Sequence, residues 1–113
     1  MTTRKASEPF KRIDVKTAKE MIDSGQAHLI DVREPKEWNE GHLQGAKLIP
    51  VNSVLARANE LPADGKPVLF YCKAGARSAL AAEYAAALGH TNLYNVEGGM
   101  DAWQTAKLPY VVK

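Results

Sequence analysis

The stretch that most restricts the fold of this 113-residue chain runs from Val68 to Leu88. Val68-Leu69-Phe70-Tyr71, a short apolar and aromatic run after Pro67, predicts a buried strand. The Ala/Leu-rich run from Ser78 to Leu88, closed by Gly89, predicts a helix. Between them lies Cys72-Lys73-Ala74-Gly75-Ala76-Arg77, which holds the only cysteine of the chain.

A loop that feeds a helix N-terminus presents backbone N–H groups with no helical partner, and the helix dipole adds partial positive charge. Such a place binds anions. Lys73 and Arg77 add two cations, while Gly75 and its small neighbours let the backbone curl around whatever the sulfur holds. A thiol with pKa ~8.5 is about 3% ionised at pH 7, and lowering that pKa to ~7 raises the thiolate roughly fifteenfold. A lone cysteine is ordinarily a small buried hydrophobe. The position of Cys72, after a strand and before Gly, Arg and a helix, points instead to a functional thiol.

The rest of the chain alternates strand and helix signals. Phe10–Ile13, Ala27–Val32, Lys47–Ile49 and Thr91–Val96 read as further strands. Asp14 caps a helix over Val15–Ser24, with Val15, Ala18, Met21 and Ile22 on one face and Gly25 as its stop. Pro35 opens a short helix at Glu34–Trp38 that ends near Gly41. Asn52 or Ser53 caps a helix through Glu60 or Leu61, and Met100–Lys107 closes the chain before Pro109. In the helix after the cysteine, Leu80, Ala81, Tyr84, Ala85 and Leu88 form the expected apolar stripe, and Trp38 and Trp103 are expected core anchors. This order implies an α/β fold: a parallel sheet with right-handed crossovers and helices on both faces. The length suits one domain, expected over residues 10–113 behind a flexible tail at 1–9.

In such sheets ligands sit beyond the carboxyl ends of the strands. Asp31 and Arg33 lie at one such end, where two readings stand: a fold-holding ion pair, which is favoured, or groups that orient the loop or meet substrate. His28 and His90 read as solvated or local hydrogen-bonding groups. His42, between Gly41 and Gly45, reads as a ring that pins a turn. Glu97-Gly98-Gly99 is a tight turn that approaches the cysteine loop.

The net charge of +2, with dispersed basic residues, argues against a nucleic-acid partner. No apolar stretch approaches the ~18 residues of a membrane span, and no signal-like segment stands in the first thirty residues, so no membrane partner and a reducing, cytoplasmic setting are expected. One cysteine and three scattered histidines provide no zinc-like spacing, so no metal or other cofactor is expected.

Cys-Lys-Ala-Gly-Ala-Arg-Ser at 72–78 resembles the active-site loop of the rhodanese (sulfurtransferase) family. The stretches 29–46, with Asp31-Val32-Arg33-Glu34-Pro35, and 96–103, with Glu97-Gly98-Gly99, resemble two further family blocks in the family's order. The resemblance spans about residues 10 to 110. It implies a five-stranded, mostly parallel sheet of order 1-5-4-2-3. It implies Cys72 as a nucleophile that takes a sulfane sulfur from a small anionic donor such as thiosulfate, and passes it to cyanide, a thiol or a protein acceptor. Lys73, Ala74, Gly75, Ala76 and Arg77 would then hold the substrate, with Asp31, Arg33 and Ser78 in support. Two alternatives stay open. One is a sulfur carrier or partner-binding module with little turnover. The other is a phosphatase or arsenate reductase of the same fold, against which stands the spacing of four residues between Cys72 and Arg77 where those enzymes have five.

Overall fold

A computed structural model describes residues 8–112, so most of the tail expected at 1–9 lies outside the described residues. Five strands, β1 (Lys11–Ile13), β2 (His28–Asp31), β3 (Lys47–Leu48), β4 (Val68–Tyr71) and β5 (Leu93–Val96), alternate with four α-helices. The helices are α1 (Val15–Asp23), α2 (Pro35–Glu40), α3 (Ala76–Ala87) and α4 (Gly99–Thr105). The sheet has the order β1-β5-β4-β2-β3 and every pairing is parallel. The cysteine strand, β4, is therefore the middle one, and all four of its residues are buried.

Side chains on a strand alternate between faces, and a parallel strand covered on both sides is apolar throughout. Val68 and Phe70 enter one core with Ala81, Ala82 and Ala85 of α3 and with Val51, Val54 and Leu61. Leu69 and Tyr71 enter the other with Ala18 of α1, Leu43, and Met100 and Trp103 of α4. Burying one such large apolar side chain contributes about 1.5–3 kcal/mol. The two cores thus fix β4 from above and below. Asp14 caps α1 by accepting the Thr17 N–H at 2.8 Å. Pro35 opens α2, whose Glu34 and Glu37 form a capping box.

Three expectations need correction. The helix expected from Asn52 to Leu61 is two single turns of 3₁₀ helix, Val51–Ser53 and Ala58–Glu60. Here the Val51 N–H is committed to the Val32 carbonyl, and Ser53 to that of Pro50, which tightens the first turn. Asn52, Ser53 and Asn59 also favour turns over helix interior. On α3 the stripe is different: Leu80 and Leu88 are 40% and 48% exposed, and the buried face is Ser78, Ala81, Ala82 and Ala85. Small side chains let the helix sit close on the sheet. Finally, Trp38 is not a core anchor. The short α2 buries none of its residues, and the Trp38 indole stacks on His42 with centroids 3.6 Å apart and planes within 5°. His42 pins the turn as expected, with Nδ1 3.2 Å from the Trp38 carbonyl and its backbone bridged to Val111.

Candidate active site

The loop between β4 and α3 sits at the carboxyl end of the middle strand, where strand geometry ends and four N–H groups of α3 begin without helical acceptors. Gly75, at φ +112, makes the turn into α3, a conformation that favours glycine. The chain therefore bends back over the Cys72 side chain, which is 2% exposed.

Burial alone would make that sulfur inert, since it lies against the apolar core shared by α3. Its polar surroundings decide otherwise. The Gly75 N–H donates to Sγ at 3.1 Å, and the Ser78 hydroxyl lies 3.4 Å from it. Burial pushes the thiol pKa up, but the Ser78 hydroxyl and the amides of Ser78, Gly75 and Ala74 outweigh it, so the pKa lies below its ordinary value. The sulfur is buried in hydrocarbon on one side and faces main-chain amides on the other.

The remaining predicted residues divide. Asp31 and Arg33 form a buried ion pair: Arg33 Nη2 reaches Asp31 Oδ2 at 2.8 Å and Nε reaches Oδ1 at 3.0 Å. Arg33 also donates to the Gly41 carbonyl at 2.7 Å. The Tyr71 hydroxyl joins them, accepting the Leu43 N–H at 3.0 Å and hydrogen-bonding Asp31. Burial, then the Asp31 charge, hold its pKa far above the phenol range, so it stays a neutral donor. Lys73 and Arg77, read from sequence as open cations, each face a carboxylate. Lys73 Nζ lies 2.9 Å from Asp101, at the surface. Arg77 meets Glu37 with both terminal nitrogens, at 2.8 and 3.0 Å.

Sequence reasoning missed Glu37, Asp101 and Asn95. The last donates to the Gly75 carbonyl at 3.3 Å and to Glu97 at 2.6 Å, tying the loop to β5. Glu37 was visible only as a first-turn acid of a short helix; its partner is 40 positions away. Among the described residues no group of three or more His, Cys, Asp or Glu is placed to hold a metal ion, and no helix is long and apolar enough to cross a membrane.

The sequence model of the rhodanese-like domain matches residues 14–106. The chain belongs to the rhodanese-like family. This rhodanese-like domain is 36% identical over 100 residues to the thiosulfate sulfurtransferase GlpE of Vibrio cholerae, covering 88% of this chain and 93% of that one. It is 45% identical over 78 residues to the uncharacterized protein YqhL of Bacillus subtilis, covering 69% of this chain and 61% of that relative, less than two thirds of its length. Its fold superposes on a rhodanese-related protein of Thermoplasma volcanium with a TM-score of 0.84 at 31% identity, covering 92% of this chain and all of that one.

Proposed function

We propose that this rhodanese-like domain is a sulfurtransferase that carries a sulfane sulfur on Cys72. The observation that carries the reading is the Gly75 N–H at 3.1 Å from the Cys72 sulfur, inside a loop whose amides lower the thiol pKa. The Cys72 thiolate attacks the outer sulfur of a donor such as thiosulfate. A sulfur–sulfur bond forms at Cys72 as the one to the sulfite group breaks, and its electron pair departs with sulfite. The persulfide left on Cys72 keeps the negative charge, and the loop amides stabilise it. Cyanide or a thiolate then attacks the outer persulfide sulfur, forming thiocyanate or a new persulfide and returning the thiolate.

Roles follow from position. Cys72 is the nucleophile, the main chain of Lys73 to Arg77 surrounds the transferred sulfur, and Ser78 supports the thiolate from below. Asp31 and Arg33 hold the floor through Tyr71 and Gly41. The name of the Vibrio cholerae relative supports thiosulfate as a donor. The donor is thus a small anion, the acceptor a thiol, free or on a protein.

Intact mass tests the reading. Incubation with thiosulfate adds the mass of one sulfur, which cyanide or a thiol removes with repeated formation of thiocyanate or persulfide. Loading once without turnover would assign a sulfur carrier instead, and no added sulfur would overturn both.

A further inference from the structure

Arg33 at the end of β2 and the two loop cations, Lys73 and Arg77, each have a carboxylate of their own. Arg33 is paired with Asp31, Lys73 with Asp101 and Arg77 with Glu37. Of these, Arg77 belongs to the loop's helical end and interacts with the charge of the Cys72 thiolate.

Glu37 is built to hold that cation. Its two oxygens take both terminal nitrogens of Arg77, and one of them also accepts the Glu34 N–H at 2.9 Å through the capping box of α2. The hydrogen bonds from Arg77, aided by the Glu34 amide, bring its pKa down to about 2, so it is ionised at any working pH. A cleft of about 170 Å³ opens beside the loop, and its wall carries Glu37, Glu40 and Asp101 against Arg33 and Lys73. The charge beside the loop is therefore balanced, with carboxylates facing the cations that the loop sequence supplies.

We infer that Glu37 is a specificity-determining residue: by compensating Arg77 it keeps the site from favouring doubly charged donors and tunes it for singly charged sulfane sulfur. This inference rests on the sulfurtransferase reading above. An added negative charge near a bound anion costs in proportion to the anion's charge, so a dianion is penalised about twice as much as a monoanion. Thiosulfate at neutral pH is a dianion. An alkanethiosulfonate, which gives the same outer sulfur and leaves as a sulfinate, is a monoanion, and the charge balance of the transfer holds for both.

The test is the ratio of kcat/KM for thiosulfate to that for methanethiosulfonate, with cyanide as acceptor. General damage to the fold lowers both values and cancels in the ratio. Glu37→Gln, which keeps the shape and removes the charge, is expected to raise the ratio about three- to tenfold. Glu37→Asp, which keeps the charge, is expected to hold it within about twofold of the unmodified protein. An unchanged or lowered ratio in Glu37→Gln would overturn the inference while leaving the sulfurtransferase reading intact. Absence of transfer from either donor in the unmodified protein would overturn that reading first. Should Glu37→Gln not fold, the unmodified protein still decides. With Arg77 compensated, the ratio changes less than about twofold between low and physiological salt, whereas an open cationic site loses about fivefold or more.

Discussion

The backbone of Gly99 approaches that of Cys72 so closely that a methyl group on the Gly99 Cα would stand 2.2 Å from the Cys72 carbonyl oxygen. That approach joins the start of α4 to the cysteine loop. The Met100 N–H donates to the Cys72 carbonyl at 2.8 Å, and the Asp101 N–H to that of Lys73 at 2.9 Å. The carbonyls of the loop's first residues are thus taken by α4. The amides that follow, of Ala74, Gly75 and Ser78, face the sulfur.

Gly99→Ala should therefore open the loop. At φ +52 the new side chain is strained, and it also meets the Lys73 carbonyl group at 2.8 Å, which is backbone and cannot rotate away. A loss of about 2–4 kcal/mol is expected, with sulfur loading slowed at least about tenfold. Gly45→Ala is the control: its φ is +86 but nothing lies within 4 Å of the added carbon, so only the backbone term of about 1 kcal/mol applies. Equal losses in urea denaturation of the two variants would show that the close approach does not hold the loop.

Replacing the sulfur separates chemistry from fold. Cys72→Ala and Cys72→Ser should both lose sulfur loading completely, since neither can hold a persulfide. The Ala variant removes one buried atom from the α3 core, at a cost of about 1–2 kcal/mol, and should keep its circular dichroism spectrum. Substantial residual transfer in either variant would remove Cys72 from the mechanism.

Much of this was legible in local pattern. The buried run Val68–Tyr71, the Asp14 cap, Pro35 at the head of α2 and the turn at Gly98–Gly99 are signals carried by neighbouring residues, and the structure places each where the sequence indicates. The strand order came from family resemblance, because the pairing of β1 with β5 joins residues too far apart for periodicity to report. What stayed hidden was partnership across the sheet's end. Nothing in Lys73 or Arg77 says that Asp101 or Glu37 will face it, so their charges read as open when they are compensated. The α3 stripe failed for a related reason: hydrophobicity marks Leu80 and Leu88, but close packing on the sheet selects the small Ala81, Ala82 and Ala85.

The buried cluster of Asp31, Arg33 and Tyr71 should respond as a unit. Asp31 and Arg33 are both buried, so Arg33→Met leaves an uncompensated carboxylate and should destabilise by about 3–5 kcal/mol. Tyr71→Phe removes the acceptor of the Leu43 N–H and a hydrogen bond to Asp31, for about 1–3 kcal/mol. Converting the pair together, Asp31→Asn with Arg33→Met, should recover part of the single-variant loss, because no buried charge remains. Urea midpoints measure all three, and strictly additive losses would mean that the groups do not act together.

The thiol itself should titrate low. Its pKa lies below the ordinary thiol value, because the donors from Ser78, Gly75 and Ala74 outweigh burial, and hydrogen bonds to the charged form favour it. Alkylation by iodoacetamide consumes the thiolate, so its rate should rise with pH through a midpoint below that of an ordinary cysteine thiol and level off above it. Ser78→Ala deletes the hydroxyl 3.4 Å from the sulfur and leaves burial unchanged. Stabilisation of the anion then falls, which moves the midpoint up. At neutral pH that variant should react about three- to tenfold more slowly, and it should regain most of the difference at alkaline pH, where both thiols are ionised. A variant that stays slow at every pH would place the effect in access to the sulfur instead. An unmodified protein whose midpoint stood at or above that of an ordinary cysteine thiol would mean that burial, not the donors from Ser78, Gly75 and Ala74, governs Cys72.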